Sequence, residues 1–284
     1  MQRVDDLSAL SSHMQYWRQQ KESIAFVPTM GNLHDGHLSL IRVAKERADR
    51  VVASIFVNPL QFNDKHDLQH YPRTLDDDIR QLSEVDCDLV FTPTTELMYP
   101  SGEQQQTQIH VPGMDDKLCG LGRPGHFDGV ATVVTKLFNM VRPDMAVFGE
   151  KDYQQLLLIR KLVTDLNLAI DIIAAPTQRG EQGLALSSRN SRLETPQQLL
   201  ASHIYQQLVQ LKQAVEQGQK DYLALTQAAT NNLQQEGFKV EYVEIRRATD
   251  LAVAEPLVDK QLRILIAAKL GEVRLIDNIA CNLA

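Results

Sequence analysis

The sequence predicts a two-part α/β protein, with a doubly wound parallel sheet over residues 1–176 and a smaller α+β domain over 177–284. Short apolar runs rich in β-branched residues alternate with segments of helical period through the first part. Those runs are continuous rather than alternating, as in strands covered on both faces. Beyond Pro176 the order changes to two long helical segments followed by strands, so the second part is a different layer arrangement.

The first element is Ser23-Ile-Ala-Phe-Val27, an apolar run ended by Pro28, and it reads as a buried strand. A turn rich in Gly and Asn follows. From Gly36 to Asp49, Leu38, Ile41, Ala44 and Ala48 recur at three and four residues, the period of one helix face. Val51 to Val57 is the second strand, which completes a βαβ unit. Thr74-Leu-Asp-Asp77 resembles a capping box with Asp in place of Glu, and opens a helix to Val85. The strand Asp88 to Phe91 comes next.

After an irregular, Gln-rich stretch at 103–108, a helix carrying Val130, Val133, Val134, Leu137 and Val141 leads to the strand Met145 to Phe148. A helix from Tyr153 to Leu166 and a strand from Ile170 to Ala175 complete a Rossmann-like pattern. In the second part, helices are expected at Pro196 to Gln217 and Asp221 to Glu236. Strands are expected at Val240 to Ile245, Arg263 to Ala268 and Val273 to Ile276.

With 284 residues, 43% of them hydrophobic and 23% charged, the chain has ordinary soluble composition and is long enough for one or two cores. The 29 basic residues against 36 acidic ones leave a formal charge of -7 without a Lys/Arg block, which disfavours nucleic-acid binding. Cys87, Cys119 and Cys281 are odd in number and far apart, so neither a disulfide framework nor a zinc site is expected. Runs such as Val51 to Val57 are too short to span a bilayer. A cytoplasmic protein without membrane contact is the expectation.

Open α/β sheets bind ligands at the carboxyl ends of their strands. The first such end reads Pro28-Thr-Met-Gly-Asn-Leu-His34-Asp-Gly-His37. Histidines three apart in a first helical turn share a face, and a helix N-terminus attracts phosphate. The alternative reading is that one histidine caps the turn and the other lies on the surface. The H-x-G-H spacing after a strand and a Gly-containing turn is nevertheless the placement seen in nucleotidylyltransferases of the HIGH type. A second strand-end loop, Phe148-Gly-Glu-Lys-Asp152, offers Gly149 for close approach, Lys151 for phosphate oxygens and Asp152 for ribose hydroxyls. Read alone, Glu-Lys-Asp is a surface turn. A third element, Leu184-Ala-Leu-Ser-Ser-Arg-Asn190, sets two hydroxyls and a guanidinium in a row, suited to a leaving pyrophosphate.

With Phe56-Val-Asn-Pro-Leu-Gln-Phe62, Tyr71-Pro-Arg-Thr74, Arg123-Pro-Gly-His-Phe-Asp-Gly129 and Leu275-Ile-Asp-Asn278 added, the chain closely resembles the pantothenate synthetase family, the AMP-forming pantoate:β-alanine ligases. The resemblance runs over nearly the whole chain, more loosely from Thr177 to Gly183 and in the C-terminal domain. It implies that pantoate attacks the α-phosphorus of ATP to give an acyl adenylate and pyrophosphate, and that β-alanine then releases AMP. It further implies an ATP site of Met30, Gly31, Asn32, Leu33, His34, Asp35, Gly36, His37, Gly149, Glu150, Lys151, Asp152, Leu186, Ser187, Ser188 and Arg189. Within that site His34, His37, Lys151, Ser187, Ser188 and Arg189 are the catalytic groups.

The resemblance places Gln61 and Gln155 on pantoate, where neutral amides orient a carboxylate without occupying the lone pairs that must attack. Met30, Phe62, Val130 and Val134 are expected around the dimethyl carbon. Mg²⁺ is expected to arrive with ATP, held mostly by phosphate oxygens and water, with no protein metal site; for Asp76-Asp-Asp78 a solvated helix start is the reading preferred over help in holding the ion. Asn63 to Asp67 is expected to cover the adenylate, the C-terminal domain to close over the site, and the chain to be a homodimer. The alternatives are another HIGH-type nucleotidylyltransferase and a catalytically silent nucleotide-binding sensor.

Overall fold

Apolar runs without polar alternation demand cover on both faces, and that demand sets the architecture of the first unit. In the computed structural model, which describes residues 1–283, six strands form one sheet. They are β1 (Gln2–Val4), β2 (Ile24–Thr29), β3 (Arg50–Ile55), β4 (Leu89–Phe91), β5 (Met145–Gly149) and β6 (Asp171–Ala175). The order is β1-β4-β3-β2-β5-β6, and every pairing is parallel. Ile24 to Val27 and Val51 to Ala53 have no exposed surface. Helices α1 (Leu7–Gln19), α2 (Asp35–Lys45), α3 (Lys65–Gln69), α4 (Leu75–Glu84), α5 (Thr95–Met98), α6 (His126–Val141) and α7 (Tyr153–Asp165) punctuate the strands. β3 and β5 flank β2 on opposite sides, so the winding reverses there and the carboxyl ends of β2 and β5 border the crevice such sheets use.

By packing, the chain divides into Met1–Glu150 with Leu158–Pro176, and Lys151–Leu157 with Thr177–Ala284. Residues 151–157, expected in the first domain, group with the second. The second unit carries α8 (Thr195–Ala201), α9 (His203–Glu216) and α10 (Tyr222–Gln235), followed by β7 (Lys239–Arg247), β8 (Gln261–Leu270) and β9 (Val273–Asn282). The three strands are antiparallel in the order β7-β8-β9. Leu208, Leu211, Leu233, Leu262, Ile264 and Ile266 belong to one buried cluster in this unit. Among the described residues, no helix is long and apolar enough to cross a membrane.

Four local expectations change. The helix expected over 196–217 is two, α8 and α9, which meet at Ser202, whose hydroxyl donates to the Leu199 carbonyl at 2.7 Å. Thr74 makes no capping bond to the α4 backbone; its hydroxyl goes to Asp78 at 3.2 Å. Asn63 to Asp67 is not all loop, since Asp64 accepts from the His66 N–H at 2.8 Å and starts α3. Before the first expected strand lie β1 and α1, the latter opened by Asp6 accepting from the Ala9 N–H and buried through Leu10, Met14 and Trp17.

Candidate active site

The turn after β2 is built by a residue far away in sequence. Gly31 and Asn32 both have positive φ, +77° and +50°. The following N–H groups would be stranded without an acceptor. Asp78, on α4 and only 1% exposed, supplies it: its carboxylate accepts from Asn32 N at 3.0 Å and Leu33 N at 2.8 Å. A Cβ on Gly31 would stand 2.9 Å from that carboxylate and 3.1 Å from Ile55, so glycine is required on two counts. Asp78 is therefore a buried structural anion and not part of a solvated helix start, while Asp76 and Asp77 are exposed.

That turn delivers His34 to the N-cap of α2. Its Nδ1 accepts from Gly36 N at 3.1 Å. In the neutral ring the proton then sits on Nε2. His37, one turn on, lies with its ring centroid 4.1 Å from that of His34, at an interplanar angle of 39°. Its Nδ1 is shielded from solvent. The capping reading of His34 and the phosphate reading are thus compatible: the cap uses one nitrogen and orients the other.

Gln61 is buried, contrary to the surface position Gln usually takes. Asn58 opens a turn of 3₁₀ helix, Pro59–Gln61, and its Nδ2 donates to Gln61 Oε1 and to the Gly129 carbonyl, each at 3.1 Å. Tyr99 OH donates to Asn58 Oδ1 at 2.6 Å, and burial raises that phenol above its ordinary pKa, so it stays a donor. Gln61 Nε2 meets Met30 Sδ at 2.8 Å, which ties this side chain to the turn after β2. The Gln61 carbonyl lies 2.8 Å from His126 Nδ1, and Arg123 Nη1 lies 2.9 Å from His126 Nε2. A Cβ on Gly129 would overlap the Leu60 carbonyl, so α6 approaches this turn only through glycine. Val130 and Val134 are buried on the same helix, and Phe62 packs edge-on against Tyr71. Gly149 ends β5, where a Cβ would make only ordinary contact with Leu40 at 3.8 Å; the fold itself leaves room there.

In the second unit, Lys151 Nζ lies 3.8 Å from the exposed Asp152 carboxylate, and Gln155 is half-buried in the first turn of α7. The segment from Thr177 to Asn190 is a pinned hairpin. Arg179 bridges to Ala185, Leu186 N donates to the Gln178 carbonyl at 2.9 Å, and Asn190 Nδ2 donates to the Ala185 carbonyl at 3.0 Å. At its end Ser187 Oγ accepts from Arg189 N at 3.2 Å, and Leu186, Ser187, Ser188 and Arg189 are all half-buried.

The first unit thus brings Met30 to His37 together with Gln61. The side chains of Asn58, Asp78, Tyr99, Arg123 and His126 and the backbone of Gly129 hold them, and the sequence reading gave none of these a supporting role. Among the described residues one group has metal-like spacing, His110 with Asp115 and Asp128. In it His110 Nδ1 lies 3.0 Å from Asp128 and 3.4 Å from Asp115.

The model of the pantoate-beta-alanine ligase family matches residues 2–280. The pantothenate synthetase of Ectopseudomonas mendocina is 53% identical over the whole of this chain and 99% of its own length. That of Pseudomonas aeruginosa is 55% identical over 94% of both chains. The crystal structure of pantothenate synthetase from Thermus thermophilus superposes with a TM-score of 0.91 at 40% identity, covering 98% of this chain and 99% of that one. The pantoate-beta-alanine ligase of Francisella tularensis, solved with β,γ-ATP and β-alanine, gives 0.83 at 38% identity, covering 98% and 97%.

Replacing Asp78 by Ala strands two backbone N–H groups, at a cost of about 1–3 kcal/mol. Hydrogen exchange is expected to accelerate at Asn32 and Leu33 and to stay slow in β5. Unchanged exchange at both amides would show that the carboxylate does not hold the turn.

Proposed function

Because this chain belongs to the pantoate-beta-alanine ligase family, it condenses pantoate with β-alanine at the expense of ATP, and we propose that it does so through a pantoyl adenylate. A pantoate carboxylate oxygen attacks the α-phosphorus, and the bond to the bridging oxygen of pyrophosphate breaks. The β-alanine nitrogen then attacks the acyl carbon, loses a proton and expels AMP.

The observation that carries this reading is the imidazole pair on the N-terminus of α2, with the Nδ1 of His34 committed to the Gly36 N–H and the two ring centroids 4.1 Å apart. Charge on the triphosphate shifts toward the leaving group as the bond breaks, and fixed donors stabilise that shift without reorganising. His34, His37 and Lys151 serve the phosphates in this role. Ser187, Ser188 and Arg189 take the departing pyrophosphate, Arg189 through its planar fork. Gly149 and Asp152 serve the ribose. The remaining expected ATP contacts, Met30 to Leu33, Asp35, Gly36, Glu150 and Leu186, supply backbone and shape.

Gln61 and Gln155 orient pantoate. Asn58 fixes which end of the Gln61 amide faces which way, and Met30 takes one of its two Nε2 hydrogens; the other is the donor a carboxylate accepts. Met30, Phe62, Val130 and Val134 supply the apolar surroundings of the dimethyl carbon.

Mg²⁺ enters as the ATP complex, held by phosphate oxygens and water. The acidic run does not fit as a protein cage for the ion, because Asp78 is committed to Asn32 and Leu33 and Asp77 pairs with Arg80. The unbridged, buried thiols Cys87, Cys119 and Cys281 suit a reducing cytoplasm. The proposal of a homodimer rests on family resemblance.

Since an acyl adenylate needs no amine to form, exchange of labelled pyrophosphate into ATP is expected with pantoate alone. Exchange that requires β-alanine would sink the adenylate route. Single Ala replacements of His37 or Lys151 are expected to lower turnover by roughly 10²-fold, the cost of one preorganised donor. Turnover within a few-fold of wild type, with an unchanged circular dichroism spectrum, would remove them from the reaction.

A further inference from the structure

Consecutive residues of a strand point to opposite faces, and on β9 the pair Asp277–Asn278 uses both. Asp277 is 5% exposed and takes a forked ion pair from Arg179, Nη1 to Oδ2 at 2.5 Å and Nη2 to Oδ1 at 2.9 Å. The same guanidinium donates to the Gly183 carbonyl at 3.0 Å and the Asn278 carbonyl at 3.3 Å, and stacks 4.0 Å above the Tyr205 ring. A Cβ on Gly183 would overlap that ring, so the hairpin is held from both sides. It is the hairpin that ends in Ser187 to Arg189. Asn278 faces the other segment: its Nδ2 donates to the Lys151 carbonyl at 2.8 Å, while its Oδ1 accepts from Arg263 Nε at 2.6 Å. Arg263 in turn stacks 4.0 Å over Tyr153, two residues after Lys151.

We propose that Asp277 and Asn278 are positioning residues for adenylylation, which hold the Lys151 segment and the Ser187–Arg189 hairpin in one register. The proposal rests on the reading that both segments serve the triphosphate. The hairpin's own bonds, such as Leu186 N to the Gln178 carbonyl and Asn190 Nδ2 to the Ala185 carbonyl, fix its internal register but not its place against β9. Here a buried carboxylate makes any other register costly, since moving Arg179 away would strand the anion. Burial alone pushes the Asp277 carboxyl upward, and Arg179 opposes that push. One strand therefore sets where two phosphate-binding segments stand, and a displacement of β9 misaligns both.

A double-mutant cycle on pyrophosphate–ATP exchange separates positioning from general stability. Asn278→Ala is expected to lower the exchange rate about tenfold with the apparent KM for pantoate within about twofold, and Lys151→Ala to lower the rate about 10²-fold. If Asn278 acts by placing Lys151, the double variant is expected to be no slower than Lys151→Ala alone, within about threefold. Losses that multiply to about 10³-fold would overturn the positioning role and leave the Lys151 reading standing. Wild-type exchange in Lys151→Ala would overturn both. Should Asn278→Ala fail to fold, Arg179→Lys, which keeps the charge and breaks the fork, is paired with Arg189→Ala, and the same two outcomes decide.

Discussion

The carboxylate of Asp78, buried and closed over the N–H groups of Asn32 and Leu33, is the interaction on which the first unit's chemistry depends. A buried anion is costly unless donors surround it. Two backbone amides and the Thr74 hydroxyl do so here. The effect runs outward from that point. The left-handed residues Gly31 and Asn32 turn the chain at the end of β2, His34 is set at the N-cap of α2, and its capping bond fixes which nitrogen carries the proton. His37 follows from the helical period. Without the clamp the same ten residues would be a flexible Gly/Asn turn, with two imidazoles at no fixed separation.

Two kinds of electrostatic environment follow from the chemistry. The groups assigned to phosphates are cations or N–H and O–H donors, suited to a charge that grows during the reaction. The group assigned to the attacking acid is the neutral amide of Gln61, itself gripped by Asn58 and, through that residue, by Tyr99 and the Gly129 carbonyl. A guanidinium there would bind pantoate more strongly in its ground state and hold the oxygen pairs that must leave for phosphorus. Binding strength and reactivity pull in opposite directions at this position, and an amide favours reactivity.

Sequence made the strands legible because buried parallel strands are continuous apolar runs: Ile24 to Val27 and Val51 to Ala53 are unambiguous. His34 and His37 were legible through their spacing, and the Lys151 and Ser187–Arg189 motifs through resemblance. The supporting contacts were not. Asp78 sits 46 residues from Asn32, Asn58 71 from Gly129 and Arg179 98 from Asp277, and no local pattern announces a pairing across such distances. Arg179 lies in a stretch that resembles the family more loosely, yet its guanidinium makes four hydrogen bonds and stacks on Tyr205. Helix α1 is a different case, since Leu10, Met14 and Trp17 carry a readable helical period. β1, at three residues, offers too little pattern to read.

Through the turn it clamps, Asp78 sets the protonation geometry of His34. Imidazole ¹⁵N–¹H correlation spectra of the wild type and of Asp78→Ala, recorded above the pH at which histidine titrates, test it most directly. The wild type is expected to show a single His34 tautomer, with Nε2 protonated and Nδ1 an acceptor, and the variant to lose that single state. A wild-type spectrum with the proton on Nδ1, or the same spectrum for both proteins, would contradict it.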